Sequence, residues 1–97
     1  MAVILATTLG GKEAVVARDL CDCLYGNGDT AANCAPIYPG LFFAEFGDRA
    51  VLDKCLSMSY FKKLIKRIEL YDAVLREAGV FDRPNSKKIG PYVFIRL

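Results

Sequence analysis

The chain contains no histidine among its 97 residues. That absence removes imidazole as a general base, as the activator of a serine or cysteine nucleophile, and as a metal ligand. No segment approaches the roughly 20 consecutive apolar residues of a membrane-spanning helix, so no membrane partner is expected. The opening apolar run, residues 2–6, is too short for a signal-peptide core and has no basic segment before it. It reads as a strand in a cytoplasmic protein. Internal repeats and low-complexity segments are absent too. The phosphate-binding pattern G-x₄-G-K-[ST] does not occur. Gly10-Gly11-Lys12 stands between a predicted strand and helix, where free N–H groups could hold a phosphate. A plain turn is the preferred reading there.

Four cysteines are present, but no C-x₂-C pair. Cys21 and Cys23 sit two apart on a predicted helix and therefore point in different directions. Without histidine, no mixed zinc site can be completed. Four thiolates on one metal form one alternative, but Cys21, Cys23, Cys34 and Cys55 are read first as small buried apolar residues. Disulfides follow only if the protein is secreted or comes from a hyperthermophile. No metal and no cofactor are expected.

What is there suffices for one folded domain over residues 1–97. The apolar fraction of 54% is far above that of disordered chains. Too few residues remain for a second, catalytic domain of ordinary size. The net charge of +2 hides an asymmetry: residues 1–58 carry four Lys/Arg against seven Asp/Glu, and residues 59–97 carry nine against four. The C-terminal part is the basic one, which suits an anionic partner as well as a plain solvated surface.

Two glycine-led segments organise the chain. Residues 2–8 hold the unbroken run Val3-Ile4-Leu5 and end at Gly10-Gly11; residues 41–46 follow Pro39-Gly40. Unbroken apolar runs suit central strands covered on both faces. Residues 12–25 predict a helix, with Val16, Leu20 and Cys23 or Leu24 on one face, ending in a flexible loop at Gly26-Asn27-Gly28-Asp29. Residues 34–38, interrupted by Pro36, predict an edge strand. Asp48 is an N-cap candidate for a helix over residues 49–58. Residues 59–78 fit one continuous helix or a strand followed by a helix. The sheet's need for a fourth strand favours a strand at 63–70 and a short helix at 72–78. Residues 82–90 read as a loop and 92–97 as a final strand. The fold class is α+β: a ferredoxin-like βαββαβ sandwich with an extra C-terminal helix and strand. Residues 2–8, 41–46 and 92–97 are expected in one sheet, with both main helices on one of its faces.

Lys62, Lys63, Lys66 and Arg67 form the densest basic cluster, beside Tyr60 and Phe61, and Lys87 with Lys88 forms a second. Cations interleaved with aromatics suit nucleic acid: the cations neutralise phosphates and the rings stack on bases. The bland alternative is an amphipathic element with its charged side in water. Ser57 and Ser59 have no evident partner, and Glu45 with Asp48 looks like a strand end and a helix cap. No catalytic residues are therefore assigned, and the protein is not read as an enzyme.

Leu5-Ala6-Thr7-Thr8-Leu9-Gly10-Gly11-Lys12-Glu13 resembles the opening strand, glycine turn and helix-starting glutamate of the N-terminal ferredoxin-like and THUMP region of RNA-modifying enzymes, such as THUMP-containing methyltransferases. Pro39-Gly40-Leu41-Phe42-Phe43-Ala44 resembles the central glycine-led strand of that region. Residues 52–70, with Cys55-Leu56-Ser57 and Lys66-Arg67-Ile68, resemble its next helix and strand, and residues 92–97 the strand where the THUMP fold proper begins. Gly40-Leu41-Phe42-Phe43-Ala44-Glu45-Phe46 is also similar to the RNP1 strand of the RNA recognition motif, whose aromatics stack bases; Leu41 replaces one such ring. The Gly-Lys-Glu helix start and the Pro-Gly-led strand are similar to the N-terminal domain of NusG-type elongation factors, which implies a polymerase contact. The first resemblance implies a non-catalytic RNA-binding or accessory module, its partner tRNA or rRNA. The alternative is a protein-interaction or homodimerising domain, using the strands at 41–46 and 92–97.

Overall fold

The structure, a computed structural model, describes residues 2–76 and 86–96. Four strands form one antiparallel sheet: β1 (Ala2–Thr8), β2 (Asn33–Tyr38), β3 (Leu41–Phe46) and β4 (Ile65–Tyr71), in the order β2-β3-β1-β4. Helix α1 (Glu13–Gly26) connects β1 to β2. Helices α2 (Arg49–Leu56) and α3 (Ser59–Leu64) connect β3 to β4. This is the ferredoxin-like α+β arrangement. A second antiparallel sheet, β5 (Ala73–Arg76), β6 (Ser86–Ile89) and β7 (Tyr92–Ile95), has the order β5-β7-β6.

The two central strands, β1 and β3, are buried on both faces, and their unbroken apolar runs exist for that reason. Ile4, Ala6, Phe42, Ala44 and Phe46 meet Val16, Leu20, Leu24 and Leu52 of the helices. Val3, Leu5 and Phe43 point the other way, against Tyr92 and Phe94 of β7. Phe42 and Phe94, one in each layer, are among the largest fully buried side chains. Each contributes about 1.5–3 kcal/mol by transfer from water.

The two glycine turns are tied together by one side chain. The Glu13 carboxylate accepts from the Gly11 N–H at 3.0 Å and the Gly40 N–H at 2.8 Å. These bonds, that to Gly40 first, hold its carboxyl below the ordinary 4.5. Gly40 has φ +85°, and a Cβ there would meet the Thr8 carbonyl at 3.3 Å, so glycine is required by both backbone and space.

The expected helix over 12–25 is observed as α1. Asp48 is the N-cap of α2, accepting from the Ala50 N–H at 2.9 Å. Several expectations are corrected. The strand at 92–97 does not join β1 and β3; its described part, β7, is the central strand of the second sheet, so it offers no edge. The strand expected at 63–70 is observed as β4 after the short helix α3, but the helix expected over 72–78 is β5 across 73–76. Tyr71 and Leu75 are spaced as on a helix, but the Asp72 N–H donates to the Ile95 carbonyl at 2.8 Å and starts pairing with β7 instead. Within the loop expected at 82–90, residues 86–89 form β6; residues 77–85 lie outside the described residues.

Nor are the cysteines free apolar residues. Cys21 is bonded to Cys34 and Cys23 to Cys55. Their divergence on α1 lets one helix be stapled to β2 on one side and to α2 on the other. The glycine-rich loop after α1 is also anchored. Asp29 is buried, and its carboxylate accepts from the N–H groups of Ala31 (3.1 Å), Gly47 (2.9 Å) and Asp48 (3.2 Å). A Cβ on Gly47 would lie 3.1 Å from that carboxylate. No helix among the described residues is long and apolar enough to cross a membrane.

Candidate nucleic-acid interface

The basic cluster is built by the junction of α3 and β4. Lys62 and Lys63 occupy the last turn of α3, where cations complement the carbonyl end of a helix. Lys66 follows at an irregularity in the β1–β4 ladder, where Thr8 pairs with Ile65 and Thr7 with Arg67. All three are exposed. Among the described residues, none of the three has a carboxylate within ion-pair distance.

The other named cations are placed differently. Arg67 and Lys87 converge on one carboxylate, Glu69, each at 3.4 Å. Glu69 also accepts from the Tyr71 hydroxyl at 2.7 Å. That bond first, and then the two cations, holds its carboxyl below the usual range. Lys88 pairs with Val93 and Lys87 with Phe94, so they occupy opposite faces of the second sheet. The fold therefore brings Lys62, Lys63 and Lys66 together, gathers Arg67 and Lys87 around Glu69, and leaves Lys88 apart.

Of the two aromatics beside the cluster, only Tyr60 is exposed. Phe61 is buried in the helix-side core. Tyr60 stands edge-on to it at 5.0 Å and donates its hydroxyl to Asp19. That hydrogen bond, ahead of burial, raises the Tyr60 phenol above its ordinary value. The RNP1-like strand is also occupied: Phe43 packs edge-on against Tyr92 at 4.9 Å, under the second sheet.

One further cleft, about 120 Å³, lies between the sheets and is lined by Asn33, Phe43, Glu45, Val74, Arg76 and Tyr92. Glu45 accepts from the Asn33 amide there at 2.8 Å. Glu45 and Asp48 thus serve separate partners and form no shared acid–base pair. The Ser57 hydroxyl donates to the Lys54 carbonyl at 2.6 Å. Sequence reasoning missed Glu69 as the organiser of the cations and Asp29 as the anchor of its loop. The only available signal for Asp29 was a charged residue in a segment otherwise rich in glycine.

These features define a ferredoxin-like domain whose usual open sheet face is covered by a second, smaller sheet. Residues 3–69 match the family described as "Protein of unknown function (DUF3195) N-terminal domain", and the chain belongs to that family. The match covers the four-stranded sheet almost to the end of β4, together with α1, α2 and α3. No curated protein matches the chain.

Proposed function

We propose that this chain is a non-catalytic RNA-binding or accessory module that holds the phosphate backbone of tRNA or rRNA along the α3–β4 rim. The observation carrying this reading is that Lys62, Lys63 and Lys66 are exposed and share no ion pair with a described carboxylate. Cations without carboxylate partners keep their full charge for phosphates and release counterions on binding. Arg67 and Lys87 contribute less, because Glu69 lies between them. Lys88 adds to the field rather than to the contact. With Phe61 and Phe43 buried, base stacking supplies little, so binding is insensitive to sequence. The THUMP-like opening segment points to the same class of partner. A cytoplasmic site for this role requires a cytoplasm in which disulfides persist, as in hyperthermophiles.

Titration of tRNA-sized RNA at several salt concentrations tests the reading. Affinity should fall with salt. Changing Lys62, Lys63 and Lys66 together to Ala should flatten the log–log slope by about 2–3, at about 0.7–0.9 per lost phosphate contact. Sequence preference should not change. Absence of binding by the wild type at low salt, or equal slopes for both proteins, would refute it.

A further inference from the structure

We propose that the free edge of β4 pairs with β4 of a second copy, antiparallel and centred on Ile68, joining two four-stranded sheets into one of eight strands. Strand β4 ends the sheet order β2-β3-β1-β4, so one side of it has no strand neighbour among the described residues. Which of its backbone groups face that side follows from the ladder. The Thr8 N–H donates to Gly40 on the β3 side. Alternation along β1 then turns Val3, Leu5 and Thr7 toward β4, where they pair with Tyr71, Glu69 and Arg67. The N–H and C=O groups of Ile68 and Leu70 face outward. Arg96 supports this placement, since it donates to the outward Leu70 carbonyl from Nε at 3.0 Å and Nη2 at 2.9 Å.

The side chains select the partner. A symmetric antiparallel pair has its twofold axis at one residue. Centred on Arg67, it sets two guanidinium groups face to face. Centred on Glu69, it opposes two carboxylates. Centred on Ile68, it places Arg67 of each copy opposite Glu69 of the other, and Ile68 opposite Ile68. Directly opposite residues of unlike charge stabilise a strand pair, and like charges destabilise it. Charged side chains guard many edges against pairing, but in Lys66-Arg67-Ile68-Glu69-Leu70 the unlike charges at 67 and 69 complement each other about Ile68. On the helix side, Ile68 and Leu70 are each 41% exposed. Pairing at Ile68 covers them with the partner's Ile68 and the stem of its Lys66. The second free edge of this sheet, β2, carries Pro36 and an irregular ladder, and lacks this pattern. Arg96 already occupies the Leu70 carbonyl, so the ladder is short and the association weak, in the micromolar to millimolar range.

The test is sedimentation of the full chain across concentration, with circular dichroism confirming that each variant is folded. The wild type should dimerise reversibly. Arg67→Glu and Ile68→Lys, both at exposed positions, should each weaken the dimer by about tenfold or more, about 1.4 kcal/mol. Arg67→Glu mixed with Glu69→Arg should form a heterodimer, because one copy then carries two carboxylates at 67 and 69 and the other two guanidinium groups. If Glu69→Arg does not fold, the first two variants decide. A wild type that stays monomeric up to about 1 mM, or a dimer indifferent to Arg67→Glu and Ile68→Lys, would overturn the proposal.

Discussion

Reduction of Cys21–Cys34 and Cys23–Cys55 should cost this domain a large share of its stability. The bonds close intervals of 13 and 32 residues. By the loss of chain entropy in the unfolded state, loops of these lengths are worth about 3 and 3.7 kcal/mol. The intervals overlap between residues 23 and 34, so the second bond acts on a chain already constrained by the first. The sum, about 6–7 kcal/mol, is therefore an upper bound. A domain of this size has a total stability of about 5–15 kcal/mol, so reduction removes between a large part and nearly all of it. A loss of about 3 kcal/mol corresponds to about 12–24 °C in melting temperature for a chain of this length. Replacing Cys21 and Cys34 together by Ser should produce a loss of that order. Replacing Cys23 and Cys55 by Ala should cost at least as much, since Cys55 is fully buried and truncation leaves a cavity. Thermal melts with and without reductant, beside thiol counting in denaturant, make the measurement. No thiol should react before reduction and all four after it. Coincident melts under the two conditions, or four reactive thiols without reductant, would refute the reasoning.

Two side chains that anchor loops give further tests. Asp29→Ala should destabilise by about 2–4 kcal/mol, because a buried carboxylate serving the N–H groups of Ala31, Gly47 and Asp48 is lost. Urea unfolding should show a lower midpoint at unchanged slope, and a shift under about 0.5 kcal/mol, typical of a neutral surface site, would contradict the role. Glu13 concerns pH. Its folded pKa lies below 4.5, so its contribution is complete above the unfolded value and disappears as pH falls through the folded one. Wild type should exceed Glu13→Gln in stability at neutral pH, and the gap should close on acidification; a gap independent of pH would exclude the carboxylate bonds to Gly11 and Gly40 as its cause.

The central strands were legible because their side chains carry the whole environment. Val3-Ile4-Leu5 and Leu41-Phe42-Phe43-Ala44 alternate between two apolar layers, so neither face needs polar residues. The inward stripe of α1 and the Asp48 cap are equally local. What failed was non-local. Residues 73–76 carry no strong strand signal, and they are extended because β7 pairs with them. The directions of Cys21 and Cys23 could be read from helical geometry, but their partners depend on how β2 and α2 pack against α1. The exposure of Lys62, Lys63 and Lys66 was legible because a dense run of charge seldom packs inward. For Phe61 the stacking and the amphipathic readings both stood open, because an aromatic beside lysines can face either way. Here its ring fills the helix-side core. Glu69 escaped notice because its role requires Tyr71 and Lys87 beside it, one of them 18 residues away.

The placement of the staples bears on both functional proposals. Each disulfide ends on α1, and their other ends lie on β2 and α2. Strand β4 lies at the opposite edge of the sheet from β2. The covalent reinforcement is thus concentrated on one half of the domain, while the lysine rim and the β4 edge rely on packing against β1 and on the Phe61 anchor. Local opening follows local stability. Hydrogen exchange should accordingly be slowest in β1 and β3 and faster at α3 and the outward amide of Ile68. In the oxidised protein, a second copy or an RNA backbone that engages this half should slow exchange there and leave α1 unchanged. Protection appearing first in α1 would mean that the partner binds the stapled half, and both proposals would then have the wrong surface.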